Sequence, residues 1–334
     1  MAAAGKFGGA SVAITGGLGF IGSNLARRLV GLGSQVTLVD NLLPAYGGNR
    51  FNVSDFASRV KVNVCDVRDP RAMEELVRGC DYLFNLAGQT SHLDSMTDPH
   101  TDLAINAAAQ LSILEACRSS NPDVRIVFAS TRQVYGKPDY LPVDERHPVN
   151  PVDVNGINKL AGEWYHLLYH RVYGIGAVAL RLTNTYGPGM RVKDARQTFL
   201  GIWLRQLIEG EPLRIYGDGS QLRDFTYVDD VVDALLLAAA APRALGQVYN
   251  LGSKEIMSLE ALAMLLLIRL HGSGRCVRVP FPADRKTIDI GDYYGNYTKI
   301  SDELGWAPKV GLEAGLARTL RYYAEHAAQY WERA

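Results

Sequence analysis

The sequence predicts an α/β fold, a doubly wound parallel sheet followed by a smaller C-terminal α+β part. Three observations predict it. Short apolar runs alternate with stretches of helical periodicity through the first half, the pattern of a parallel sheet covered on both faces. A glycine-rich turn stands between the first run and the first helix. After Tyr186-Gly187-Pro188-Gly189 the alternation breaks down, and helices, short strands and polar loops follow in mixed order. The length of 334 residues suits one large unit or two joined domains. The expected division is 1–183 and 184–334, with a segment near 225–250 returning to the first part.

The elements follow in order. Ser11–Thr15 reads as the first strand and 20–30 as a helix, with Ile21, Leu25 and Leu29 on one face. Gln35–Asp40, Val60–Val64, 82–87, 125–129 and 177–180 read as further strands. Helical periodicity fills 70–78, 99–118 and Val154–Tyr173 between them. The second half predicts a helix over 198–209, a strand at Leu213–Tyr216 and a polar loop over 217–223. A helix at Val228–Ala240, a strand near 247–251 and helices near 259–270 and 312–330 complete it.

Composition narrows the function classes. Lys+Arg and Asp+Glu are both 35, so no basic excess points to nucleic acid or an anionic membrane. No apolar stretch is long enough for a bilayer, and the start does not read as a signal peptide. Cys65, Cys80, Cys117 and Cys276 show no CxxC spacing, so neither a disulfide scaffold nor a zinc site is expected, and a reducing cytoplasm fits. His166 and His170 have i,i+4 spacing but no third ligand, so no metal is expected.

The segment Thr15-Gly16-Gly17-Leu18-Gly19-Phe20-Ile21-Gly22 follows a strand and opens a helix. Gly16 permits the tight turn, Gly19 lets backbone reach a pyrophosphate, and Gly22 permits close helix–strand packing. The helix N-terminus favours the phosphate charge. Asp40 ends the next strand, where an acidic side chain holds ribose hydroxyls and repels a 2′-phosphate, which favours NAD over NADP. This is the Rossmann type of dinucleotide site.

The spacing GxxGxxG resembles the extended short-chain dehydrogenases/reductases, and within them the nucleotide-sugar epimerases and dehydratases. The likeness runs on through Cys65-Asp66-Val67, Asn85-Leu86-Ala87-Gly88, Asn106, Ala129-Ser130-Thr131 and Val134-Tyr135-Gly136. It continues through the stretch from Arg181 to Pro188, then Ile215-Tyr216-Gly217-Asp218-Gly219, the stretch from Arg223 to Asp230, and Leu304-Gly305-Trp306. The resemblance implies that NAD is held by Gly16, Gly19, Phe20, Ile21, Gly22, Asp40, Asn41, Asp66, Val67, Leu86, Ala87, Gly88, Gln89, Asn106 and Lys159. It implies a nucleotide-diphosphate sugar as substrate, touched by Asn184, Thr198, Tyr216, Arg223 and Arg285. Arginine suits a diphosphate because its planar fork meets oxygens in pairs. The residues leave open whether the base is uridine, thymidine, guanosine or cytidine.

In the resembled family a tyrosinate takes the sugar hydroxyl proton, a lysine four residues later holds the nicotinamide ribose, and a Ser or Thr binds the same hydroxyl. Thr131 and Lys159 match two of these catalytic roles. Position 155 is where the tyrosine belongs, one helical turn before Lys159, and this chain has Asn155. An amide has no proton to exchange near neutrality. Three readings stay open. Another group takes the proton, with Lys159 at lowered pKa or Thr131 through water as candidates; or the asparagine is an introduced substitution; or the chain binds its ligands without redox chemistry. As a local alternative, Asn155-Gly156 is turn-prone and would cap the helix.

Arg132 and Gln133 follow Thr131 where the family's 4,6-dehydratases have Asp-Glu and its decarboxylases a Glu two residues on. The resemblance therefore implies epimerisation by oxidation and re-reduction, first at C4, with C2 epimerisation, dehydration and decarboxylation as alternatives. A catalytically weak binding protein is the alternative of another class. The family's habit also implies a homodimer through a four-helix bundle, here from helices at 100–118 and 154–173, with Leu160, Trp164, Leu167 and Leu168 as the apolar face.

Overall fold

The computed structural model describes residues 4–43, 45–194, 198–270 and 274–332. Its strands are β1 (Ser11–Thr15), β2 (Gln35–Asp40), β3 (Val60–Val64), β4 (Tyr82–Asn85), β5 (Arg125–Thr131), β6 (Gly176–Leu182), β7 (Asn184–Tyr186), β8 (Leu213–Tyr216), β9 (Leu222–Tyr227), β10 (Val248–Asn250), β11 (Ile256–Ser258) and β12 (Cys276–Val279). Its helices are α1 (Phe20–Gly31), α2 (Pro70–Val77), α3 (His92–Thr97), α4 (Pro99–Leu103), α5 (Ala109–Ser120), α6 (Val154–Tyr173), α7 (Phe199–Glu209), α8 (Val228–Ala240), α9 (Leu259–Met264), α10 (Ala283–Lys286), α11 (Thr298–Leu304) and α12 (Leu312–His326).

Seven strands form one parallel sheet in the order β10-β6-β5-β4-β1-β2-β3. Both of its faces are covered, as the unbroken apolar runs demand: Val12 and Ile14 of β1 pack with Leu25 and Leu29 of α1, and Ala13 packs with Ile113 and Leu114 of α5. Because all seven strands run one way, their C-terminal ends share an edge. The glycine turn after β1, Asp40, the loop after β4, Thr131 and Thr183 therefore meet there. The strand order reverses beside β1, with β2 on one side and β4 on the other. β10 returns from the second half to pair with β6, and α8 shares the core of α1.

The remaining strands make two small sheets, β11-β9-β7 and β12-β8. Behind them lies a second apolar core that includes Trp203, Leu204, Ile215, Phe225, Leu262 and Leu316.

Three expectations need correction. The helix expected over 99–118 is broken: a π-helical turn at Ala104–Ala108 separates α4 from α5. It places Asn106, whose side-chain amide donates to the Gln89 carbonyl at 3.0 Å. Such an inserted residue re-aims a side chain at the cost of regular helix hydrogen bonding. The loop expected over 217–223 is shorter, because Leu222 and Arg223 already belong to β9. Leu160 is not on an outer face; it is buried against Val134, Tyr135 and Val143, while Trp164 and Leu168 are exposed.

Candidate active site

The glycine turn is packed too closely for side chains. A Cβ on Gly22 would lie 2.3 Å from the Gly16 carbonyl oxygen, and one on Gly16 would lie 3.1 Å from the Ala87 backbone. Gly16 also has φ +69°, in the left-handed region. Gly19 stands at the N-cap of α1 without a side-chain cap. The first turn thus leaves backbone N–H groups for an anion.

Thr15 locks the neighbouring loop. Its Oγ1 donates to Asn85 Oδ1 at 2.9 Å and accepts from Leu86 N and Ala87 N at 3.0 and 3.1 Å. Asp40 accepts from Leu18 N at 3.1 Å and Leu42 N at 2.8 Å. Burial raises its pKa, and those two N–H groups oppose the rise.

These elements enclose a cavity along the sheet edge. It is lined by Gly16, Gly19, Phe20, Ile21, Gly22, Asp40 and Asn41, by Val67 beyond β3, and by Leu86, Ala87, Gly88 and Gln89 after β4. Thr131, Asn155 and Lys159 line it deeper in. Asp66 and Asn106 stand behind its wall. Asp66 accepts from Asn41 Nδ2 at 2.8 Å and from Arg68, whose guanidinium holds the carboxyl well below its usual range. Asn106 presses on Gly88, where an added Cβ would come within 2.9 Å of both Asn106 Oδ1 and Lys159 Nζ. Tyr46, Gly48, Thr90 and Ile105 also line the cavity, and no sequence motif marks them. The cradle that excludes Cβ atoms, the open helix N-terminus and the carboxylate at the end of β2 fit a dinucleotide.

A second cavity opens beside the first. Tyr216, Arg223 and Arg285 line it, with Trp203, Arg214, Phe281 and Asp289. The Arg285 guanidinium stands 5.5 Å from the centre of the Tyr216 ring. Arg223 is buried, donates to the Leu222 carbonyl at 2.8 Å and the Gly291 carbonyl at 2.5 Å, and lies 3.8 Å from Asp289. Burial first, and then the charge of Arg132, pull its pKa down to about 10. His92, Arg132, Asn184 and Thr198 line both cavities and so mark their junction. Arg132 donates to Asn184 Oδ1 at 3.2 Å, and Thr198 caps α7.

Around Asn155 the side chains form a closed cluster. Asn155 is buried, and its amide donates to the Gln89 carbonyl at 2.8 Å and to Asp102 Oδ2 at 3.0 Å. Asn158 donates to the other oxygen, Asp102 Oδ1, at 2.8 Å. Asn155 and Asn158 are three residues apart, so they share one face of α6. Asn155 does not cap the helix; Asp153 does, accepting from Gly156 N at 2.6 Å. Lys159 Nζ donates to the Ala129 carbonyl at 3.0 Å. Burial pulls its pKa down to about 8 against the opposing pull of Asp102. Thr131 caps the 3-10 turn Arg132–Tyr135 by accepting from Gln133 N at 3.2 Å.

Asn155→Tyr tests whether position 155 awaits a tyrosine. The substitution removes one of the two amide donors to the buried Asp102 carboxylate, and the unmet bond at Oδ2 costs about 1–3 kcal/mol. We expect a lower melting temperature and no gain in turnover; a variant as stable as the parent and faster would refute this.

His166 and His170 have separate surroundings. His166 stacks on Phe128 with centroids 4.4 Å apart, and its Nδ1 lies 2.7 Å from the Gly162 carbonyl. Burial lowers its pKa to about 4, so it is neutral. His170 Nδ1 lies 3.0 Å from the Ile175 carbonyl.

The sequence model of the NAD dependent epimerase/dehydratase family matches residues 12–252. A putative UDP-glucose 4-epimerase of Methanocaldococcus jannaschii is 33% identical over 315 residues, covering 93% of this chain and 97% of that protein. A dTDP-glucose 4,6-dehydratase of Actinoplanes is 31% identical over 324 residues, with the same coverages of 93% and 97%. The solved structure of an epimerase from Methanothermobacter thermautotrophicus superposes with a TM-score of 0.91 at 27% identity, covering 99% of this chain and 96% of that one. The chain therefore belongs to the NAD dependent epimerase/dehydratase family.

Proposed function

We propose that the protein is a nucleotide-sugar epimerase that uses NAD and inverts C4. The observation that carries the reading is the junction of the two cavities: His92, Arg132, Asn184 and Thr198 meet there without a carboxylate among them. Dehydration or decarboxylation at that point needs a further acid–base group besides the one that takes the hydroxyl proton, usually a carboxylate. Inversion through a keto-sugar needs only a proton acceptor at one hydroxyl and room for the sugar to turn.

NAD, when bound, supplies the two-electron acceptor that converts an alcohol carbon into a carbonyl and the donor that converts it back. The chain's own residues do the rest. Gly16, Gly19 and Gly22 give the pyrophosphate a backbone cradle, and Asp40 holds the adenosine ribose. Thr131 binds the reacting hydroxyl, and Lys159 gives the nicotinamide ribose a cation. Arg223 and Arg285 take the substrate diphosphate, Asn184 and Thr198 orient the sugar, and Tyr216 flanks the nucleoside base. On this reading residues 1–183 bind NAD and 184–334 bind the nucleotide sugar.

The exposed side chains Ile157, Trp164, Leu168 and Val172 of α6, with Leu103 and Leu111 from α4 and α5, support a homodimer through these helices. Light scattering should give twice the chain mass of 36.6 kDa. The four cysteines are free, which suits a reducing cytoplasm. Among the described residues no helix is long and apolar enough to cross a membrane.

The deciding experiment is proton NMR of the NAD-loaded protein with UDP-, TDP-, GDP- and CDP-sugars in D₂O. A new anomeric signal without deuterium in the sugar supports C4 inversion. Deuterium at C3, C5 or C6 would replace the reading with dehydration or enolisation. Binding without conversion would leave a nucleotide-sugar-binding protein.

A further inference from the structure

The reading above leaves the proton without an acceptor. The amide of Asn155 is committed to Gln89 and Asp102, and it has no basic atom. Lys159, with its pKa near 8, is mostly an ammonium at neutral pH, so it serves as a cation better than as a base.

His92 lines both cavities at their junction. It is the first residue of α3, and of the four side chains at the junction it alone carries an imidazole, whose neutral form has a basic ring nitrogen. Its Nδ1 lies 2.9 Å from Oδ2 of Asp153, off the line of a straight hydrogen bond. Such contacts in an unliganded site commonly tighten when substrate binds. Nδ1 is fully covered, whereas the His92 side chain as a whole is 38% exposed, so its open part lies elsewhere on the ring. Among the described residues Nε2 makes no hydrogen bond.

The Asp153 carboxylate is itself fixed. Its side chain is fully buried, its Oδ1 accepts from Gly156 N, and its Oδ2 accepts from Gln133 Nε2 at 2.9 Å. Gln133 belongs to the same short turn that Thr131 caps. One turn therefore carries the hydroxyl-binding Thr131 and, through Gln133, the group that faces the imidazole. A carboxylate on Nδ1 selects the tautomer with its proton there and leaves Nε2 as the base.

We propose that His92 is the catalytic base of this site and that Asp153 is its positioning residue. The inference rests on the epimerase reading. In the oxidative half, the sugar O–H bond breaks and an N–H bond forms at His92 Nε2. The electron pair left on oxygen becomes the second bond of the carbonyl, and the carbon's hydrogen leaves with its bonding pair to the oxidised dinucleotide. Re-reduction returns both, so the turnover is balanced and consumes no other reactant.

Two measurements test it, one without turnover. Long-range ¹H–¹⁵N NMR of the unliganded protein should show neutral His92 protonated at Nδ1, its signal assigned by loss in His92→Gln. Asp153→Asn keeps a helix cap but should shift the proton toward Nε2. A parent protein with His92 protonated at Nε2 would overturn the proposal. Stopped-flow absorbance at the reduced nicotinamide band, over the same sugar panel, is the second. His92→Ala and His92→Gln should slow reduction by about 10²–10⁴-fold with NAD and nucleotide-sugar affinities kept. Added imidazole should restore part of the rate to His92→Ala. Unchanged rates, or loss without rescue, would overturn the assignment while leaving the epimerase reading intact. A parent protein that binds every sugar and never reduces NAD would end both.

Discussion

Glu163→Leu is expected to destabilise the protein by about 3–5 kcal/mol, the usual cost of stranding one member of a buried ion pair. The Glu163 side chain is 0% exposed and that of Arg181 6%. Arg181 meets it in two places, Nη2 to Oε1 at 2.6 Å and Nε to Oε2 at 3.0 Å. Ser130 Oγ donates to Oε2 at 2.6 Å. The remaining guanidinium nitrogen Nη1 donates to Tyr135 OH at 2.7 Å, and Tyr135 donates on to Asn250 Oδ1 at 2.7 Å. Leucine removes the carboxylate that Arg181 meets twice and leaves the buried guanidinium with the Tyr135 hydroxyl as its side-chain hydrogen-bond partner. Urea unfolding should show the loss, and a change below about 1 kcal/mol would put the pair in the class of surface bridges. Glu163→Leu with Arg181→Leu should recover much of it, because replacing both partners by apolar groups is often neutral. The effect should reach the cofactor as well: Ser130 precedes Thr131, and Glu163 lies one turn beyond Lys159. NAD affinity should fall with stability in the single variant and recover less than stability in the double.

The sheet was legible because its strands are short apolar runs between glycine turns and amphipathic helices, and β1, β2 and β3 carry the bounds expected of them. What escaped reading was non-local. β7, β9, β11 and β12 are three to six residues long, and their pairing is decided by contacts across more than thirty positions, such as Met257 opposite Arg223. The π turn at Asn106 sits inside an unbroken helical pattern, and its only trace is an Asn amid small apolar residues. At the site, residues with a motif could be named, and most of them line one of the two cavities. Asp102, Asn158 and Asp153 carry no motif. Asn155 and Asn158 do share a helical face, and polar residues at that spacing could have signalled a buried acceptor opposite them. His92 read as an isolated histidine because its partner is 61 residues away in sequence.

Lys159→Met should separate stability from function, and in opposite directions. The ammonium is buried, held by one carbonyl, and stands 5.1 Å from the centre of the Phe128 ring. Its pKa falls from 10.5 to about 8 on folding, chiefly through burial, with Asp102 offsetting part of the drop. A folded pKa below the unfolded one means that the unfolded chain binds more protons between those values. Stability of the unliganded parent therefore rises as pH climbs from 8 to 10.5, and below pH 8 the full penalty stands, about 3 kcal/mol at 1.36 kcal/mol per unit. Methionine has similar length and no charge, so it removes that penalty and in exchange leaves the Ala129 carbonyl without its donor, a loss of about 1–3 kcal/mol. At pH 7 the variant should unfold at a urea concentration equal to or above that of the parent, by up to about 2 kcal/mol. Near pH 10.5 the difference should turn against it, since only the lost hydrogen bond remains. A difference that does not vary with pH would mean the ammonium keeps its ordinary proton affinity in the fold. If Lys159 has the role proposed for it at the nicotinamide ribose, turnover should move the other way and fall by at least about a hundredfold, the usual cost of losing one preorganised charge. Opposite changes in stability and turnover would mark Lys159 as a place where this chain gives up stability for its chemistry.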